Sequence, residues 1–318
     1  MIKNACAKGA EFFKKPRRKN TTPTAYNGRK LQKMEIVFIL VMLAIPIAHF
    51  CVFWLGTNLK SIMMAFQFDG EWSLINFEDL FLNFKDGADD LAISVRNTVL
   101  FFVKDLLIIP FHLLISYFLY RKVRAYKLIQ VILYLPAIIS PVAMATMFAQ
   151  FVGSTGPIVS MLKDWGIDKV PNFLGSSQYA NWTVMFYTIW LGWGGRMLLF
   201  NGALARVPVE ILESGRIDGI NTFQEIVYLI FPLIWPTTST LIILQLTELF
   251  AAGGPVLLLT GGYYKTSTIA YWIFAKCKFG GEAYYEYVAA AGLFFTAIGV
   301  PVILLLRKLI ESIPTVEY

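Results

Sequence analysis

The chain has 318 residues, 57% of them hydrophobic and 15% charged, with a net charge of +7. Soluble domains carry about 25% charged residues, so the composition excludes a soluble globular protein and predicts a polytopic membrane protein. The positive balance does not imply nucleic-acid binding, because ten Lys and Arg fall in residues 1–35, as in a basic cytoplasmic tail.

That tail, 1–35, contains Lys14-Lys15-Pro16-Arg17-Arg18-Lys19. The apolar run behind it starts too late and continues too long for a cleaved signal peptide. Six apolar segments follow, at 36–55, 97–120, 128–152, 182–204, 233–252 and 287–306, each near the ~20 residues needed to span. Pro110, Pro136, Pro141 and Pro236 predict kinks within them. The predicted order is a tail (1–35), a first membrane helix (36–55), an extracytoplasmic loop (56–93), a five-helix core (94–306) and a C-terminal tail (307–318). With both termini inside, inner segments hold 18 Lys and Arg and outer loops hold 7, which satisfies the positive-inside bias.

The stretch Pro208–Pro236 is too polar to span, yet apolar segments flank it. Pro208 suits a first helical position, Gly219 a left-handed helix end, and Thr222-x-x-Glu225 a capping box that starts a second helix towards Pro232. The prediction is a cytoplasmic helix–Gly–helix elbow within 206–232.

Polar residues inside the apolar segments are costly, about 2.5–3.5 kcal/mol each at a helix centre if charged. They are Lys104, Asp105, Arg196 and Glu248, with Gln130, Gln150, Asn201 and Gln245. Lys104 and Asp105 are adjacent and point roughly 100° apart on a helix, so partners on other helices are expected. Gln245 and Glu248 share a face, turned to a wet cavity or to a cation such as Lys104. Trp190 and Trp193 also share a face and lie deeper than an interfacial belt; placed inside, their rings would stack on sugars.

Other chemistry is missing. There is no G-x-x-x-x-G-K-[ST] and no H-E-x-x-H. His49 and His112 read as packed residues, and Cys6, Cys51 and Cys277 show no metal or redox spacing. No catalytic residue, metal site or cofactor is predicted.

Glu210, Glu213-Ser214-Gly215, Ile217-Asp218-Gly219, Phe223, Ile230, Pro232 and Pro236 resemble the EAA loop of bacterial ABC importer permeases. Glu213-Ser214-Gly215 stands where Glu-Ala-Ala is usual, and Ile220 where a small residue is usual. The segment 70–84, GEWSLINFEDLFLNF, resembles the aromatic-Asn-Phe element that precedes a small amphipathic helix in that family. Its residues also suit an interfacial helix anchored by Trp72 and Phe77. Gly253-Gly254-Pro255 with the following LLLTGG resembles the family's outer turn.

The resemblance implies an all-α polytopic protein with six transmembrane helices and the type I importer permease fold. It is similar to the larger permease subunit of the maltose transporter, in a short six-helix form. The implied setting is the bacterial cytoplasmic membrane. The implied partners are a second permease, two copies of a cytoplasmic ATPase and an extracytoplasmic solute-binding protein, with a sugar as cargo. ATP hydrolysis would belong to the partner, so the chain itself would be no enzyme. Glu210, Glu213, Ser214, Gly215, Asp218, Gly219 and Phe223 would couple to the ATPase, Asp218 offering a carboxylate to an Arg or backbone N–H. Gln245, Glu248, Trp190 and Trp193 would line the substrate path. A permease for phosphate, an amino acid or a polyamine would carry much the same elbow, and a scaffold subunit that moves nothing is the other alternative.

Overall fold

The computed structural model describes residues 33–86, 90–250 and 254–313. It divides into two units, Met1–Leu59 and Lys60–Tyr318. The first unit contains α1 (Lys33–His49) and a wide π turn, Phe50–Gly56. Next, α2 (Thr57–Ala65) extends the first apolar span to Ile36–Ala65, ten residues beyond the predicted 36–55. Nothing in Asn58–Met64 breaks a helix, and the chain turns only at Asp69 (φ 50) and Gly70 (φ 84). Two successive positive φ values make the tight turn that joins paired strands. They form a short hairpin, β1 (Gln67–Phe68) and β2 (Glu71–Trp72), in an otherwise helical protein.

The second unit continues with α3 (Ile75–Asp86), α4 (Leu91–Tyr120), α5 (Tyr126–Ile138), α6 (Pro141–Val152), α7 (Pro157–Asp164) and α8 (Ala180–Leu204). The elbow region contains α9 (Val209–Ile217), α10 (Thr222–Gln224), a π turn (Glu225–Ile230) and α11 (Phe231–Leu233). Then come α12 (Trp235–Thr247), α13 (Gly254–Leu259), α14 (Ile269–Phe279), a 3-10 turn at Glu282–Tyr284 and α15 (Tyr285–Glu311).

Among the described residues four helical stretches are long and apolar enough to cross a membrane: Ile36–Ala65, Leu91–Tyr120, Pro141–Asp164 and Glu282–Glu311. A fifth is bent by 74° between Thr222–Leu233 and Trp235–Thr247, next to Pro236 in the first turn of α12. The predicted fourth span falls on α8, 25 residues long and interrupted by Arg196 and Asn201. The predicted third span, 128–152, is two helices, because Ile139 turns extended (ψ 147) ahead of Pro141. Ser140, directly before Pro141, is also out of the helical region (ψ 132), as the residue preceding a proline is biased to be.

Leu107, Leu128, Phe186, Leu198 and Leu305 stay open along these helices, as expected where the solvent is hydrocarbon. Lipid gives helices little hydrophobic reason to associate, so packing and interhelical hydrogen bonds hold them. Towards their C-terminal ends, Ile109, Leu113 and Tyr117 of α4 pack with Phe200, Ala203 and Leu204 of α8. At the N-terminal end of α4 polar stitches dominate. Asn97 Nδ2 donates to the carbonyls of Lys265 and Ser267, both at 2.8 Å, and Ile269 N donates to Thr98 Oγ1 at 2.9 Å. Tyr271 donates to Gly261 O at 2.5 Å, and burial pushes its pKa up, so it remains a donor.

Asn76 of the 70–84 segment is buried and donates to Gln67 O at 2.6 Å, fixing α3 to the hairpin. Trp72 is exposed, whereas Phe77 packs on Phe66 with centroids 5.4 Å apart. The Asn-Phe pair therefore lies in the first turn of α3 rather than ahead of it. Of the predicted outer turn, Gly253 lies outside the described residues.

Candidate functional site

The elbow is built from local rules. Pro208 is the N-cap of α9 (ψ 132), one position earlier than predicted. Gly219 takes φ +76, and its N–H donates to Arg216 O at 3.1 Å while Ile220 N donates to Gly215 O at 3.2 Å. Those two bonds around a left-handed glycine make a Schellman stop. The second arm starts one residue earlier than predicted. Asn221, not Thr222, is the N-cap: its Oδ1 accepts from Gln224 N at 2.9 Å, and Gln224 Oε1 accepts from Asn221 N at 2.9 Å. Asn221 has the extended backbone (φ −81, ψ 167) that a cap requires, and Glu225 is left free of the box.

Gly215 and Ile220, two of the departures from the usual EAA pattern, are explained together. A Cβ at Gly215 would lie 2.6 Å from Ile220 Cδ1 and 2.7 Å from Leu229 Cδ1. The missing methyl at 215 makes room for the larger side chain at 220, so the two changes compensate.

Leu212, Ile230, Leu233 and Ile234 seat the elbow on the C-terminal ends of α4 and α8. Its outer face presents Glu210, Glu213, Ser214, Asp218 and Gly219, all exposed. Among these carboxylates stand Ile217 at 87% exposure and Phe223 at 72%. Beyond the bend, the π register bonds Phe231 N to Ile226 O, opening the coil where Pro232 would crowd the carbonyl four residues back.

The second constellation lies in mid-membrane, where α4, α8 and α12 meet. Lys104 Nζ lies 2.9 Å from Asp105 Oδ1 and donates to Thr188 Oγ1 at 2.6 Å. Arg196 Nη1 lies 3.7 Å from the same Asp105 oxygen, and Arg196 Nη2 donates to Gln245 Oε1. The partners expected on other helices are present, Thr188 for Lys104 and Arg196 for Asp105, and the flexible lysine stem also reaches its neighbour's carboxylate, which a 100° separation on the helix did not suggest. Asp105 also draws Arg196 from another helix. Side-chain exposures of 10%, 18% and 21% for Lys104, Asp105 and Arg196 leave the cluster partly open.

The four residues expected along a path are not brought into one group. Gln245 is buried and bonded to Arg196. Glu248 caps α12, exposed, and has no ion pair among the described residues, so Lys104 is not its partner. Trp190 packs towards Phe148 of α6 at 6.2 Å, and Trp193 packs on His112 of α4 at 4.5 Å. Sequence reasoning did not select Thr188 or Arg121; it named Ile217 only within the elbow motif and Glu225 only as a capping-box residue, not as residues of a site.

Comparison with known proteins adds three findings. Residues 108–315 match the family model described as binding-protein-dependent transport system inner membrane component. The chain is similar to the probable ABC transporter permease protein YesP of Bacillus subtilis, 26% identical across 59% of this chain and 60% of that protein. It therefore aligns with less than two thirds of that relative's length. It is also similar to the diacetylchitobiose uptake system permease protein NgcF of Streptomyces coelicolor, 25% identical over 69% of this chain and 67% of that one. In fold it matches a chain of a bacterial alginate ABC transporter in complex with alginate pentasaccharide-bound periplasmic protein. The TM-score is 0.76 at 24% identity, covering 89% of this chain and 97% of that chain.

Proposed function

The chain belongs to the binding-protein-dependent transport system inner membrane component family, and from that premise we propose that it is a permease subunit of an ABC importer. It forms half of the translocation path for a sugar or oligosaccharide, next to a second permease. Two copies of a cytoplasmic ATPase supply hydrolysis, and an extracytoplasmic binding protein delivers the solute. Both termini are cytoplasmic, in keeping with the basic residues of the inner segments.

The observation that carries this reading is the elbow. A Schellman stop and an Asn–Gln capping box hold two arms at a set bend. One face packs on the helix ends and the other offers carboxylates around Ile217 and Phe223. Apolar side chains exposed on the polar side of a membrane call for a protein partner. A groove on the ATPase would take Ile217 and Phe223, with Asp218 meeting an Arg or a backbone N–H at its rim. When the ATPases close on ATP, the rigid bend passes the movement to α4 and α8 instead of absorbing it. The saccharide assignment is supported by the relatives that take up diacetylchitobiose and alginate. Trp190, Trp193, Gln245 and Glu248 contribute rings and polar groups to the path.

The test is to purify the chain with its genomic neighbours and measure binding-protein-stimulated ATP hydrolysis in proteoliposomes. The panel holds diacetylchitobiose, maltotriose and an alginate trisaccharide, with phosphate, amino acids and spermidine as controls. Stimulation by a saccharide is the expected result. Stimulation by a control alone replaces the sugar assignment, and an assembled complex that responds to nothing removes the transport reading.

A further inference from the structure

Glu225 is a charged group that neither the exposed elbow face nor the mid-membrane cluster uses. It is the first residue of the π turn, 2% exposed, and its Oε1 lies 3.6 Å from Arg121 Nη1. Arg121 caps the inner end of α4 and stands 5.9 Å over the ring of Tyr117, one helical turn back. The buried Tyr117 hydroxyl lies beside the same carboxylate. Contact stops short of closed geometry: neither that hydroxyl nor Glu225 Oε1 has a hydrogen-bond partner among the described residues.

A buried carboxylate must be compensated, and tight charge-assisted bonds close at about 2.7–2.9 Å. Here the arginine, at 3.6 Å, stands outside that range. A shift of the elbow by less than an ångström would close the contact, and a shift the other way would open it. Arg121 also sits on the helix that carries Lys104 and Asp105. Asp105 is roughly 24 Å further along, at about 1.5 Å per residue, so α4 links the elbow to the polar cluster.

We propose that Glu225, Arg121 and Tyr117 form a latch through which the elbow moves α4, which makes Glu225 a positioning residue of the transport cycle. The proposal rests on the importer reading. A residue that only stabilised the fold would lower assembly, ATP hydrolysis and uptake together. A latch separates them.

The experiment compares wild type, Glu225→Gln, Arg121→Gln and the double variant in the full complex, using whichever saccharide of the panel stimulates the wild type. Solute taken up per ATP hydrolysed is the readout. Glu225→Gln and Arg121→Gln are each expected to lower this ratio by about tenfold while stimulated hydrolysis stays within about twofold. The double variant should be no worse than either single, because all three break one contact. Arg121 is 31% exposed, so Arg121→Gln still reads the latch if Glu225→Gln fails to assemble. An unchanged ratio in Arg121→Gln, parallel loss of assembly and activity in both singles, or additive losses in the double variant overturns the latch. A wild-type complex that neither hydrolyses ATP nor moves solute removes the importer reading instead.

Discussion

At the bend of the elbow the polar contacts join near neighbours: Asn221 with Gln224, Gly219 with Arg216, Ile220 with Gly215. In the mid-membrane cluster, Lys104 reaches Thr188 across 84 residues and Arg196 reaches Gln245 across 49. The elbow is thus a local structure whose shape survives as long as its caps do. The cluster exists only once three helices have packed, and its partly buried charges lose their compensation if they separate. Damage to the elbow should change what the protein does, whereas damage to the cluster should change whether it assembles.

The largest expected effect tests the second half of that contrast. Asp105→Asn removes the one carboxylate that Lys104 and Arg196 share. Breaking such a pair from one side costs about 3–5 kcal/mol, and the partly open site places this case near the lower end. Thermal unfolding of the detergent-purified complex should show a large drop, and adding Lys104→Met should recover part of it. A wild-type melting temperature in Asp105→Asn would mean that the cluster does not hold the helices together.

Gly219→Val tests the first half. At φ +76 a side chain costs about 1–2 kcal/mol, and a β-branched one fits this region worst. Membrane insertion and yield should stay near normal while uptake per ATP collapses. Gly219→Asn, which tolerates a left-handed backbone, should transport well. Equal transport by the Val and Asn variants would show that the bend is no lever.

A smaller effect separates the observed cap from the predicted one. Asn221→Ala should destabilise the second arm by about 1 kcal/mol, read as faster amide exchange at Gln224 and Glu225. Thr222→Ala should stay within about 0.5 kcal/mol of wild type. The reverse ranking would restore the Thr222–Glu225 box.

Glu248→Gln should affect stability least, within about 0.5 kcal/mol, because Glu248 is exposed and has no ion pair among the described residues. Its uptake should nevertheless fall if the carboxylate faces the path. Unchanged uptake would take Glu248 out of it.

How much could be read in advance follows the same division. Gly219 was legible because only backbone conformation is at stake there; no atom lies within 4 Å of a Cβ added to it. The cap was misplaced by one residue because Asn221 and Thr222 are both good caps, and a backbone torsion chose between them. The Phe68-Asp69-Gly70-Glu71 hairpin was missed although Asp-Gly is a strong turn signal, since two-residue strands leave no period to read. The partners of Lys104 could not be read at all, because a flexible lysine reaches any of several neighbours.

By itself the sequence determined the membrane class, the position of the elbow and its glycine stop. These depend on composition over tens of residues or on torsions within a few, which need no knowledge of distant contacts. Only the tertiary structure decided that Asp105 serves both Lys104 and Arg196, that Gly215 makes room for Ile220, and that Glu225 is buried against Arg121. Gly215 and Ile220 face each other across the bend of the elbow; for Asp105 with Arg196 and for Glu225 with Arg121 the deciding quantity is a separation of a few ångströms between residues on different helices. Such distances are set when the helices pack, and no one segment contains them.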